Sequence, residues 1–230
     1  MDLSPGQILQ ILVSAVALVF SVVFHENAHG LAAERFGDTT ARDLGRITMN
    51  PLPHIDPIGT VLVPALGILS GIPLVGWAKP VPVNSANFRN PVVDDAYVAA
   101  AGPASNFLLA VGGTALLIVV RLVFKHVPGL HENSGNSLLF FQLLCVNLIQ
   151  INCVLGFFNL LPIPPLDGHW VLLRYLPSRW AAVLAATRPY GFFILIALLW
   201  TGTLGRIIGI PVEYIAGGLF QVVQYAVSAL

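Results

Sequence analysis

Two histidines one helical turn apart with a glutamate between them, His25-Glu26-Asn27-Ala28-His29, are the residues of this chain best equipped for chemistry. They lie in an apolar run that starts near Ile8, so the expected local structure is a helix, and the i, i+4 spacing puts both imidazoles on one face. Neutral imidazoles so placed fill two of the four tetrahedral positions around a zinc ion. Glu26, about 100° further round the helix, is placed to take a proton from water at such a metal. A His/Glu cluster on a helix can instead be a buried hydrogen-bonded network. The metal reading is the stronger one, because ionisable groups at membrane depth are costly and functional by default.

Composition says what surrounds this motif. Of 230 residues, 56% are hydrophobic and only 10% charged, which is an integral membrane protein and not a soluble domain. A net charge of +0 gives no reason to expect a nucleic-acid partner or an acidic substrate. Cys145 and Cys153 fall within an apolar segment and read as small buried hydrophobes. Met1 to Gln7 has no basic region, so the first apolar run is expected to be a retained helix.

The elements that must position the motif follow from hydropathy. Residues 8–36 form a first span, with His25 about 26 Å along it from Ile8. Residues 37–57 are polar and turn-rich. The apolar stretch 58–76 is barely long enough to cross and carries Pro64, Gly67, Gly71 and Pro73. Gly76 to Asn84, with Pro80 and Pro82 alternating, reads as an extended segment or edge strand. Spans are expected at 93–124, 138–161, 189–204 and 209–229, with a short basic piece at 177–188. His131-Glu132-Asn133 echoes the motif without a second histidine and reads as a polar loop.

Charge counting decides the ambiguous stretch. If 58–76 crosses, the cations divide into six (35, 42, 46, 121, 125, 206) and five (79, 89, 174, 179, 188), which gives no orientation. If 58–92 dips in and returns, eight (35, 42, 46, 79, 89, 174, 179, 188) face three (121, 125, 206). The positive-inside rule then puts 37–92 and 162–188 in the cytoplasm and the N-terminus outside. It also runs the 8–36 and 138–161 spans in the same direction, so that His25, His29 and Asp167 meet at one depth. The expected fold is therefore an all-α polytopic bundle of about five to six transmembrane helices with a re-entrant or extended segment near 58–92. It forms one membrane-embedded domain over 1–230, with a catalytic core at about 8–176 and C-terminal helices at 177–230.

A catalytic zinc takes three protein ligands and keeps one position for water. Asp167 is the best third candidate, because prolines 162, 164 and 165 break a membrane helix just before it, where irregular backbone must line a protein-enclosed cavity. The competing role for Asp167 is a helix N-cap. Glu34, Glu213 and Asp56 are poorer candidates for the ligand.

The pair His25-Glu26-x-x-His29 and Asn159-x-x-Pro162-x-Pro164-x-x-Asp167-Gly168 resembles the site-2 protease family of intramembrane zinc metalloproteases. Gly102-Pro103-x-x-Asn106 is similar to that family's middle core helix, and the likeness is nearest to short prokaryotic members without a PDZ domain. The resemblance implies one Zn2+ per chain, held by His25, His29 and Asp167, and hydrolysis of a peptide bond in a transmembrane peptide or protein within the bilayer. Glu26 would be the base. Asn159 is the expected donor to the oxyanion or clamp on the substrate backbone. The segment Trp77 to Asn84 offers backbone groups to which an unwound substrate can pair. A metal-binding protein or transporter using the same ligands is the alternative. His54 has no assigned role, His169 is a candidate neighbour of the ligands, and the oligomeric state is left open. The expected location is the cell membrane, with the site in its cytoplasmic half.

Overall fold

The computed structural model describes residues 4–63, 66, 76–127 and 135–229. The His131-Glu132-Asn133 echo and most of the 58–76 stretch lie outside the described residues. Helix α1 (Pro5–Phe36) starts three residues earlier than its apolar run. Ser4 and Gln7 form a reciprocal capping box there, and Pro5 sits at the first helical position, where its missing N–H costs nothing. It stops at Gly37, whose φ of 113° is the left-handed conformation that glycine adopts without strain, and whose N–H returns to Ala33 and Glu34.

A one-turn helix α2 (Thr40–Asp43) and irregular chain lead to Pro57–Leu62, a π-type turn capped by the Asp56 carboxylate at the N–H groups of Ile58 and Gly59. The two flanks of the ambiguous stretch are tied together. Trp77 N–H donates to Gly59 O at 3.2 Å, and Thr60 Oγ1 donates to Trp77 O at 2.8 Å. A crossing between residues 59 and 77 would separate these groups by about 30 Å. The two ends of the stretch therefore lie side by side. Residues 76–84 are non-helical, but they form no strand, because their inward N–H groups are already bonded to Gly59, His54 and Glu26.

Helices α3 (Pro91–His126) and α4 (Gly135–Asn159) pack against α1 and each other to form the core. Small residues permit the approach: a Cβ on Gly113 would lie 3.2 Å from Leu148 Cβ, and one on Gly156 would lie 2.8 Å from the Phe107 ring. Leu117, Cys145, Ile149 and Cys153 fill the seam with Ala216 and Val223 of α8 (Thr203–Ala229), and both cysteines are free thiols. Between α4 and α8 come α5 (Asp167–Tyr175), α6 (Ser178–Ala186) and α7 (Gly191–Trp200).

Among the described residues, five helical stretches are long and apolar enough to cross a membrane: Pro5–Phe36, Pro91–His126, Ser137–Asn159, Ser178–Trp200 and Thr203–Ala229. The fourth joins α6, the turn Arg188–Tyr190 and α7, which alone is only about 15 Å long; it therefore starts before the apolar run 189–204 and includes Arg188. The Arg188 guanidinium stacks 4.3 Å over the Trp170 ring, which shields its charge.

Candidate metal centre

His25 and His29 project from the last third of α1, and Asp167 is the first residue of α5. Their donor atoms converge. His25 Nε2 and His29 Nε2 are 3.0 Å apart; Asp167 Oδ2 lies 3.2 Å from the first and Oδ1 3.4 Å from the second. A tetrahedral zinc with bonds of about 2.0–2.1 Å sets its donors about 3.3 Å from one another; the two Nε2 atoms lie near that spacing, each faces a different oxygen of Asp167, and one donor atom from each side chain falls within 4.8 Å of the other two. Among the described residues this is the group of His, Cys, Asp or Glu side chains that can hold a metal ion.

The hydrogen bonds behind the site fix the imidazole tautomers. His29 Nδ1 lies 2.7 Å from Val98 O, which can only accept, so the proton is on Nδ1. Val98 O adjoins the Ala99 carbonyl that Pro103 leaves without its helical donor. His25 Nδ1 lies 2.6 Å from Asn106 Oδ1, and that amide faces its oxygen to His25 because its nitrogen donates to Asn152 Oδ1 at 2.8 Å. Asn152 in turn donates to Ser21 Oγ and Leu148 O, and Ser21 to Ala17 O. This buried chain ties α1, α3 and α4 together behind His25. Both Nε2 atoms are then lone pairs aimed at a carboxylate with no proton among them. The buried Asp167 Oδ2 has no hydrogen-bond partner among the described residues. A cation resolves that repulsion, and the donor set, two imidazoles and a carboxylate, suits zinc.

Two glycines make room. Gly102 of α3 lies against the imidazoles: a Cβ there would be 2.4 Å from His29 Nε2 and 2.6 Å from His25 Nε2, inside the space between the donors. Gly168 lets the start of α5 fold onto the end of α4, since a Cβ there would fall 2.1 Å from Leu160 O. The turn between the two helices, held by Leu161 N–H to Phe158 O and Leu166 N–H to Ile163 O, delivers Asp167 to the histidines. Leu166 occupies the N-cap position, and no side chain caps this helix, so the Asp167 carboxylate stays available.

The other candidates are used elsewhere. Asp56 caps its turn, Glu34 pairs with Arg42 at 2.6 Å, and Glu213 is exposed on α8. Glu26 is half-buried beside the site, and its Oε2 accepts the Val81 N–H at 2.8 Å. Asn159, the last residue of α4, donates to Leu155 O one turn back, and no hydrogen bond among the described residues links it to His25, His29 or Asp167. His54 is buried with Nε2 against Thr48 O; His169 is buried edge-on to Trp170. Sequence analysis gave Gly102 and Asn106 no role beyond their likeness to the family's middle core helix. The signal was present in the helical spacing, which puts 102 and 106 on one face of α3.

The chain is 38% identical over 186 residues to "Putative zinc metalloprotease YwhC" of Bacillus subtilis (81% of this chain, 79% of that protein). It is 32% identical over 189 residues to "Putative zinc metalloprotease Rip2" of Mycolicibacterium smegmatis and 31% identical over 185 residues to the protein of that name from Mycobacterium tuberculosis. Those two alignments cover 82% and 80% of this chain but only 66% and 65% of the mycobacterial proteins, so the chain spans slightly less than two thirds of their length. No family model matches it. No solved structure matches it either. With the first relative covered over most of both lengths, and two histidines of a membrane-length helix brought together with Asp167 at the start of α5, the chain belongs to the site-2 protease family of zinc metalloproteases.

Proposed function

We propose that this protein is an intramembrane zinc endopeptidase that hydrolyses peptide bonds of transmembrane substrates. The observation that carries the reading is the convergence of Asp167, at the start of α5, with His25 and His29 of α1, a helix long enough to span a bilayer that also carries Glu26. In this reading the three side chains hold one zinc per chain. Zinc bound there supplies a Lewis acid that polarises the scissile carbonyl and makes water acidic. Glu26 takes the proton of the attacking water and passes it to the leaving amine. Val98 and Asn106 hold the imidazoles in the tautomer that leaves Nε2 free. Asn159, with part of its amide unbonded at the end of α4, serves as a clamp on the substrate backbone.

A helical substrate must unwind before its carbonyl can be attacked, and the unwound strand then needs partners for its backbone. Residues 77–84 supply them. The N–H groups of Trp77, Lys79 and Val81 point into the protein, and the N–H and C=O of Ala78 between them have no hydrogen-bond partner among the described residues. An apolar cavity of about 650 Å³ beside this segment, lined by Val22, Val23, Ala78, Phe158, Ile208 and Val212, gives room for an apolar strand. With Arg188 set aside because it lies inside the fourth membrane-length stretch, seven cations (35, 42, 46, 79, 89, 174, 179) still face three (121, 125, 206), which favours a site opening to the cytoplasm, an N-terminus outside and a lipid-embedded partner. The test is mass spectrometry on a model transmembrane peptide incubated with zinc-loaded protein, chelated protein and zinc-restored protein. The expected result is a discrete cut that disappears with the metal and returns with it. Stoichiometric zinc with no cleavage of any transmembrane peptide would instead mark a metal-binding protein.

A further inference from the structure

We propose that the backbone N–H of Val81 positions the Glu26 carboxylate for proton transfer; this rests on the reading of Glu26 as the base. Val81 N–H, 55 residues away in sequence, donates to Glu26 Oε2 at 2.8 Å, and Glu26 has no other side-chain hydrogen bond or ion pair among the described residues. A carboxylate has lone pairs on both oxygens. With Oε2 held, Oε1 is left to take the proton in a fixed orientation.

The sequence isolates this donor. Lys79-Pro80-Val81-Pro82-Val83 puts a proline on each side, so Val81 carries the one N–H between residues 80 and 82. The prolines also keep the segment out of a helix that would turn this N–H inward on itself. Alternate residues then face the protein: Trp77 N–H to Gly59 O, Lys79 N–H to His54 O, Val81 N–H to Glu26. Arg46 Nη2 holds the segment by donating to Lys79 O at 3.0 Å and Pro80 O at 3.1 Å. Gly30, one turn after Glu26, is the seat. A Cβ on it would come within 3.3 Å of Val81 Cγ1 and 3.0 Å of Ile47 Cγ1, so the bare backbone lets the buried Val81 lie against α1. The proline-rich stretch thus links the substrate-pairing segment to the base.

The experiment uses the full zinc-loaded chain and two readouts. Val81→Pro removes the N–H, and Val81→Ala keeps it. With zinc retained in both, Val81→Ala is expected to keep about 10 to 100 times the kcat of Val81→Pro on the model peptide, while their KM values differ little, because a displaced base slows the chemical step more than binding. Independently of cleavage, hydrogen exchange at the Val81 amide is expected to speed up about 10-fold or more in Glu26→Ala, where the acceptor is gone. Equal kcat for the two Val81 variants, or Val81 exchange unchanged by Glu26→Ala, would overturn the proposal. If Val81→Pro does not assemble, or if no peptide is cleaved by the unaltered protein, the exchange measurement decides alone. An inactive protein that still shows the exchange change refutes the proteolytic reading and leaves the contact standing.

Discussion

Gly102→Ala adds a single methyl group at the position where it does the most damage. The new Cβ would lie 2.4 Å from His29 Nε2 and 2.6 Å from His25 Nε2, about 1 Å inside ordinary van der Waals contact. Neither ring can yield freely, because Val98 O and Asn106 Oδ1 hold their far nitrogens at 2.7 and 2.6 Å. The strain of overpacking a tight site is about 1–3 kcal/mol, and it is relieved by moving the imidazoles apart, which spoils the donor spacing. If the strain falls on the metal-bound state, zinc affinity drops about 5- to 150-fold at 1.36 kcal/mol per decade. The assay is competition for zinc against a chromophoric chelator in detergent, with circular dichroism to show retained helix. Gly112→Ala is the internal control, since a Cβ on this exposed glycine of the same helix meets nothing within 4 Å. It should leave zinc binding alone and stabilise the helix by about 0.5–1 kcal/mol. Zinc affinity in Gly102→Ala equal to that of the unaltered protein would refute the claim that Gly102 clears the metal position.

Other outcomes follow from the same geometry. Asp167→Ala should lose stoichiometric zinc in metal analysis while α1 and α3 stay helical, because two imidazoles alone leave the cage open. Asn106→Leu leaves the buried Nδ1–H of His25 unpartnered. It should cost about 1–3 kcal/mol in stability and about 10- to 100-fold in zinc affinity. Gly168→Ala, whose Cβ would meet Leu160 O at 2.1 Å, should also release zinc, by displacing Asp167 without touching a ligand. Burial alone would raise the Asp38 pKa, but bonds from Asn84 N–H, the Thr40 hydroxyl and N–H, and Asn87 Nδ2 outweigh it and hold the carboxyl below 3.8. A depressed folded-state pKa means that this contribution to stability is present in full above the unfolded value and fades as the pH falls from 3.8 through the folded value. Thermal unfolding should therefore show a steeper acid decline in the unaltered protein than in Asp38→Asn.

How far the sequence led depended on how local each signal was. The His25 and His29 pair is a one-helix pattern, and its geometry needed only the 3.6-residue period. Asp167 was reachable because prolines that break a membrane helix must face protein and not lipid, and the structure brings its carboxylate to both imidazoles. For 58–76 the charge count favoured a re-entrant course, and the Gly59 and Thr60 bonds to Trp77 put the two ends of that stretch side by side. Contacts between distant segments were harder to read. Val81 N–H on Glu26 and Asn152 on Asn106 join residues 55 and 46 positions apart, and nothing in either local pattern names the partner. The fourth membrane-length stretch starts at Ser178, earlier than the apolar run 189–204, because α6 continues into α7 across Arg188, whose guanidinium stacks on Trp170, a contact that hydropathy does not register.

The most direct measurement is turnover of a model transmembrane peptide by zinc-loaded Glu26→Gln, with zinc content determined on the same sample. A carboxamide keeps the shape of the side chain and its acceptor oxygen for Val81 but cannot take up the proton. The account predicts one zinc per chain and a kcat lower by about 10²-fold or more. Full metal content with unaltered turnover would contradict it.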